Sequence, residues 1–193
     1  MEQQFFIKTK QTLYELIDLL NVDYKNWFEK EDIEWQQSLS DQSKTIQMYF
    51  QEISAVNQQI LNSIKKTNKE IYQGKINNRN QYLESDFIVV DVLMKIYSEF
   101  STKKINSQAY QIQDLKQIII LQMDVLFQEI ERFPDDFASN VKNIPGTITS
   151  VKLDFYQLIY LALCHAKHQI IQLKMNNTVI KSIRLKDPKL QMA

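Results

Sequence analysis

The chain has 193 residues, zero formal net charge, 44% apolar and 24% charged residues. That balance lacks the basic surplus a nucleic-acid footprint requires. The most apolar window, FYQLIYLALC at residues 155–164, is about half the roughly 20 residues needed to cross a bilayer. Two glycines and three prolines are too few for a turn-rich sheet fold, and a chain of this length can bury a single core.

Residues 4–20 set Phe6, Leu13, Leu16, Ile17 and Leu20 at helical spacing, with Asn21 as the expected end. Residues 21–43 mix Trp27, Phe28 and Trp35 with acids. They read as a loop with one short helical turn, its aromatics packing onto the rest, and Ser43 is the best-placed cap for the next helix. Ile46, Phe50, Ile53, Val56, Ile60 and Ile64 then follow 3-4 spacing, which predicts an amphipathic helix over 44–72. GKINNRN at 74–80 breaks it. Val89, Val92, Leu93, Ile96 and Phe100 predict a shorter helix over 86–102, capped by Ser85 or Asp86. Ile112, Leu115, Ile118, Ile119, Leu126 and Ile130 predict a long helix over 107–132 that stops before Pro134. After a loop with a Pro-Gly turn at 145–146, Leu158, Ile159, Ala162 and Ile170 mark a last helix over 151–175. TVIKSIRL in the tail is expected as a short strand or as coil lying on the helices.

Amphipathic helices must bury their stripes, so the expected fold is all-α: a four-helix bundle with an additional shorter helix. Residues 1–175 form the domain and 176–193 the tail. One cysteine cannot form an intrachain disulfide, and MEQQFFIKTK lacks the apolar run of a secretory signal. The expectation is a cytoplasmic protein with no nucleic-acid or membrane partner.

The stretch CHAKHQIIQL at 164–173 holds the only cysteine and both histidines. On a helix, Leu158, Ala162, His165, Gln169 and Gln172 share a face that begins apolar and turns polar. Polar groups inside a bundle require partners. His165 and His168 stand at i, i+3 and are near enough to share a metal. His165 and Gln169 stand at i, i+4, the better chelating step, but an amide oxygen is a poor transition-metal ligand. The ordinary roles are a surface pair or a satisfied core histidine, and for Cys164 a small buried hydrophobe. His168 is the one nearby group able to activate that thiol.

These residues resemble the DinB-like (YfiT-type) bundle superfamily. Its last long helix carries a His-x-x-x-His pair, often with an extra histidine before the second ligand and a glutamine three residues after it. HAKHQIIQ at 165–172 lays His165 on the first ligand, His168 on the extra histidine, Gln169 on the second ligand and Gln172 on the trailing glutamine. The second helix of the superfamily often opens Thr-Ile or Ser-Ile, with a ligand histidine six residues after the isoleucine. TIQMYFQEI at 45–53 matches that opening and puts Glu52 at the ligand. The chain length, the tryptophan-bearing linker and the proline-containing loop before the last helix are also similar.

The resemblance covers residues 5 to about 175. It implies a bundle related to metal-dependent thiol transferases and hydrolases, in which the metal lowers the pKa of a bound thiol or water. Of three ligand histidines, His165 alone remains. The implied site is one divalent metal, Zn or Ni, on Glu52, His165 and Gln169, with His168 as the alternative ligand. Three functions follow. The first is an enzyme carrying out thiol transfer or hydrolysis on a small molecule. The second is a metal-free binding module with a pocket lined by Met48, Glu52, His165 and Gln169. The third is an interaction bundle that forms a homodimer through Tyr156 and Tyr160 or through the Val89 to Phe100 helix.

Overall fold

The computed structural model describes residues 2–37, 44–72, 110–132, 140–141 and 153–186. The expected helix over 86–102 with its Val89 to Phe100 face, the 74–80 break, Ser43 and the Pro-Gly turn lie outside the described residues.

Helix α1 spans Glu2–Phe28, two turns beyond the expected end at Asn21. Tyr24 and Trp27 continue the stripe of Leu13, Ile17 and Leu20, and all five are buried, so packing carries the helix through a stretch whose polar composition reads as loop. Helix α2, Asp32–Gln36, is one short turn-like element. The Glu34 carboxylate accepts a bond from the Glu31 N–H at 3.2 Å, which satisfies a donor left over at the helix start. Helix α3 spans Ile46–Tyr72. Its cap is Thr45, whose Oγ1 accepts from the Met48 N–H at 3.2 Å. The stripe from Ile46 to Ile64 is buried as its spacing predicts.

Helix α4 spans Ile112–Arg132. A two-residue antiparallel pair follows, β1 (Asn140–Val141) with β2 (Leu153–Asp154), in the register Asn140 to Asp154 and Val141 to Leu153. Helix α5, Phe155–Lys186, is the longest element at 32 residues. TVIKSIRL is therefore helical, neither strand nor coil. No glycine or proline interrupts it before Pro188, and the residue ahead of a proline disfavours the helical region.

Cross-contacts give the helix directions. The Tyr14 ring packs at a tilt against Phe127 and its hydroxyl bonds Glu131, while Lys116 reaches the Lys30 carbonyl, so α1 and α4 are antiparallel. Gln47 bonds the Tyr110 carbonyl and Gln122 bonds Ser54, so α3 and α4 run parallel. In its later part, helix α5 meets Tyr49, near the start of α3, at Asn176, and Asp23, near the end of α1, at Lys174. Its principal neighbours are α3 and α1. The fold is an all-α helical bundle, with four long helices and one short one among the described residues. None of the described helices is long and apolar enough to cross a membrane.

One end of the bundle is aromatic. Trp35 is fully buried and stacks on Phe50 with ring centroids 4.8 Å apart, while Tyr24 and Phe28 close around Phe50. The Trp35 Nε1–H donates to the Trp27 carbonyl at 3.2 Å. Lys116, mostly buried, lays its ammonium over the Trp35 ring at 5.0 Å and stands 3.6 Å from Asp32. This contact, together with the bond from Gln113 to Asp32, ties α2 to α4.

Candidate functional site

Helix α5 is buried on nearly every side over residues 155–163, as expected of a central helix. Tyr156 is buried and Tyr160 half-buried, so the association face expected through these two tyrosines lies within the bundle. One turn further, the α5 interior becomes polar. His165 is 1% exposed and Gln169 is 5% exposed. Their Nε2 atoms are 3.3 Å apart, the spacing the i, i+4 step predicts. The neutral imidazole and the amide can each donate and accept, so the two side chains pair with one another.

Burial pushes the His165 pKa down to about 4, helped by the like charges of His168 and then Lys44. The ring is neutral at pH 7, as a donor–acceptor pair inside a core requires. His168 is half-buried on the same helix, and Cys164 is half-buried beside them.

Glu52 does not complete this pair. Its carboxylate accepts from Lys44 Nζ at 2.8 Å. The same ammonium sits 4.1 Å from the Tyr49 ring centroid. The Tyr49 hydroxyl in turn accepts from Asn176 Nδ2 at 2.6 Å, tying α3 to α5. Burial raises the Tyr49 pKa; the Asn176 hydrogen bond opposes that rise and the Glu52 charge adds to it. Met48, expected to line a pocket with these groups, is exposed.

The Glu52, His165 and Gln169 set does not fit a divalent ion. The His165 Nε2 that a metal would take is already engaged with the Gln169 amide. The carboxylate holds an ammonium, whose charge also disfavours a proton on His165 and would disfavour a dication equally. Among the described residues, no three His, Cys, Asp or Glu side chains converge as metal ligands. Sequence spacing could not reveal Lys44. It lies eight residues before Glu52, outside any i, i+4 pattern, and reaches it by lying along the first turns of α3.

A second polar zone, absent from the sequence expectations, lies between α3 and α4. Gln122 Nε2 donates to the Ser54 carbonyl at 3.1 Å and faces the Ser54 hydroxyl at 3.3 Å and Gln58 Oε1 at 3.5 Å. Its own Oε1 is buried with no partner among the described residues. Asn57, on the same stretch of α3 and 1% exposed, has neither Nδ2 nor Oδ1 bonded there. At the aromatic end, a cleft of about 300 Å³ is lined by Asp32, Gln36, Gln47, Tyr110, Gln111, Ile112 and Gln113. No protein-family model, curated protein or solved structure matches the chain.

Proposed function

We propose that the protein is a metal-free helical-bundle binding module, of the kind a DinB-like bundle becomes when its ligand histidines are replaced. The observation that carries this reading is the Lys44–Glu52 ion pair at 2.8 Å. It commits Glu52, the one anionic ligand that the resemblance implies, to a cation of the chain itself. His165 and Gln169 then serve as a neutral, hydrogen-bonded element of the core, and small-molecule recognition falls to the cleft between α2, α3 and α4. A cytoplasmic setting goes with the lone cysteine, which provides no intrachain disulfide.

The test is metal analysis of the untagged protein after loading with excess Zn or Ni, beside His165→Ala. The expected result is no stoichiometric metal in either. Near-stoichiometric metal that disappears in His165→Ala would overturn the reading and favour the thiol-transfer or hydrolase alternative.

Self-association has a separate observation behind it. Leu19 and Val22 on α1, with Ile171 and Met175 on α5, are exposed on the two helices joined by the Asp23–Lys174 ion pair at 2.5 Å. A homodimer through this face would give a concentration-dependent mass that Val22→Asp abolishes. A constant monomer mass would remove it.

A further inference from the structure

The cleft at the aromatic end differs in composition from the surface around it. Four of its seven lining residues, Gln36, Gln47, Gln111 and Gln113, are glutamines. Glutamine makes up 22 of the 193 residues in the chain, so a random wall of seven would hold about one. The enrichment is local.

These amides come from three separate elements. Gln36 lies on α2, Gln47 on α3, and Gln111 and Gln113 at the start of α4. Two are fixed by bonds to the framework. Gln47 Nε2 donates to the Tyr110 carbonyl at 2.9 Å, and Gln113 Nε2 donates to Asp32 Oδ1 at 3.1 Å. Gln36 and Gln111 are exposed at the rim. A primary amide offers two donors and an acceptor in one group, so a ring of amides matches a ligand whose groups also donate and accept.

Charge narrows the class further. Asp32 is the one ionisable carboxylate in the wall, and the Lys116 ammonium stands 3.6 Å from it. The pair sums to zero. Lys116 does not line the cleft, but beside Asp32 it offsets the carboxylate charge, so neither sign is strongly favoured. Tyr110 and Ile112 supply the apolar remainder. At about 300 Å³ the cleft lies at the small end of ligand sites, large enough for one ring rather than a chain.

We infer that this cleft binds a small neutral polyol, about the size of a single sugar ring, through the amides of Gln36, Gln47, Gln111 and Gln113 and the Asp32 carboxylate. The ligand hydroxyls donate to the carboxylate and the amide oxygens and accept from the amide N–H groups. The inference rests on the binding-module reading, although the cleft is separate from the His165 region.

The experiment is an NMR titration of the full-length protein, following side-chain amide shifts. The neutral probes are glucose, myo-inositol and N-acetylglucosamine; the charged controls are spermidine and glucose 6-phosphate. The expected result is saturable shifts in the cleft glutamines with a neutral probe at millimolar Kd or better. In Gln36→Ala/Gln111→Ala, which alters exposed side chains only, affinity should fall about tenfold with the melting temperature unchanged. Absence of a saturable shift from every neutral probe up to about 50 mM would overturn the inference. So would tighter binding of a charged control, or affinity unaltered in the double variant. Metal bound at His165 together with a polyol in the cleft would sink the metal-free reading and leave this inference standing. No metal and no polyol would do the reverse.

Discussion

Helix α3 handles its polar side chains differently on its two flanks. Toward α5, the Glu52 carboxylate meets Lys44, the Tyr49 hydroxyl meets Asn176, and across the gap His165 meets Gln169. Toward α4, Gln122 spends its nitrogen on Ser54 while its oxygen goes without a partner among the described residues, and Asn57, buried on the same stretch of α3, has both amide atoms unbonded there. A buried hydrogen bond contributes about 1 kcal/mol, whereas a buried group left unmade costs about 1–3 kcal/mol. The Lys44–Glu52 and Asn176–Tyr49 contacts toward α5 therefore make their bonds, whereas Gln122 toward α4 carries a penalty at its oxygen. The difference also marks α3–α4 as the interface where apolar replacement should help.

The comparison can be broken in order of expected effect. Truncating the shared apolar stripe sets the scale. Ile53→Ala, at a fully buried position, should cost about 2–5 kcal/mol in urea unfolding. A value near zero would mean that α3 is not seated as described.

The next largest effect is acid sensitivity on the α5 flank. The folded-state pKa of His165 lies at about 4, below the unfolded value of about 6.5. Between these values the unfolded chain binds more protons. The neutral ring's contribution is fully present above about pH 6.5 and is lost as pH falls toward 4, by up to about 3 kcal/mol. Unfolding curves at pH 7, 5.5 and 4 should show this loss in the native chain and not in His165→Leu. Identical pH dependence in the two proteins would assign the loss elsewhere.

At Asn57 the sign should reverse. Asn57→Leu keeps the branched shape and heavy-atom count and removes two unbonded buried polar atoms, so stability should rise by about 1–3 kcal/mol. Destabilisation would show that an internal water satisfies the amide. The smallest effect belongs to Lys44→Met. Its ion pair with Glu52 is partly exposed, so the stability change should be within about 1 kcal/mol. Removing the nearby positive charge should raise the pKa of His165, measurable from the imidazole proton shifts.

The legible parts of the fold were those written in period. Ile46 to Ile64 and Ile112 to Ile130 declare their buried faces by 3-4 spacing, and the structure buries them except Ile118, which is half-buried. Misread parts were those where tertiary packing overrides local composition. Residues 22–28 look polar, yet Tyr24 and Trp27 need only one helical face to reach the core. TVIKSIRL is β-branched, and β-branching weakens helix propensity by tenths of a kcal/mol, too little to end a helix already growing from α5. At the site, the His165–Gln169 pair was readable because both residues share one helix. Lys44 on Glu52, Asn176 on Tyr49 and Gln122 on Ser54 were not. Each joins positions whose separation carries no periodic signal, and the charge that makes Glu52 a poor metal ligand comes from one of them.

Both tryptophans of the chain, Trp27 and Trp35, are buried in the same aromatic end, linked by the 3.2 Å bond from one indole to the other's carbonyl. Intrinsic fluorescence therefore reports on the seating of α2 against α1 and α3, and not on the bundle at large. An emission-detected melt that precedes the loss of helical dichroism would show this end opening on its own. Because Asp32 and Gln36 of the cleft flank Trp35 on α2, occupancy of the cleft should register in the same signal, with no added dye or label.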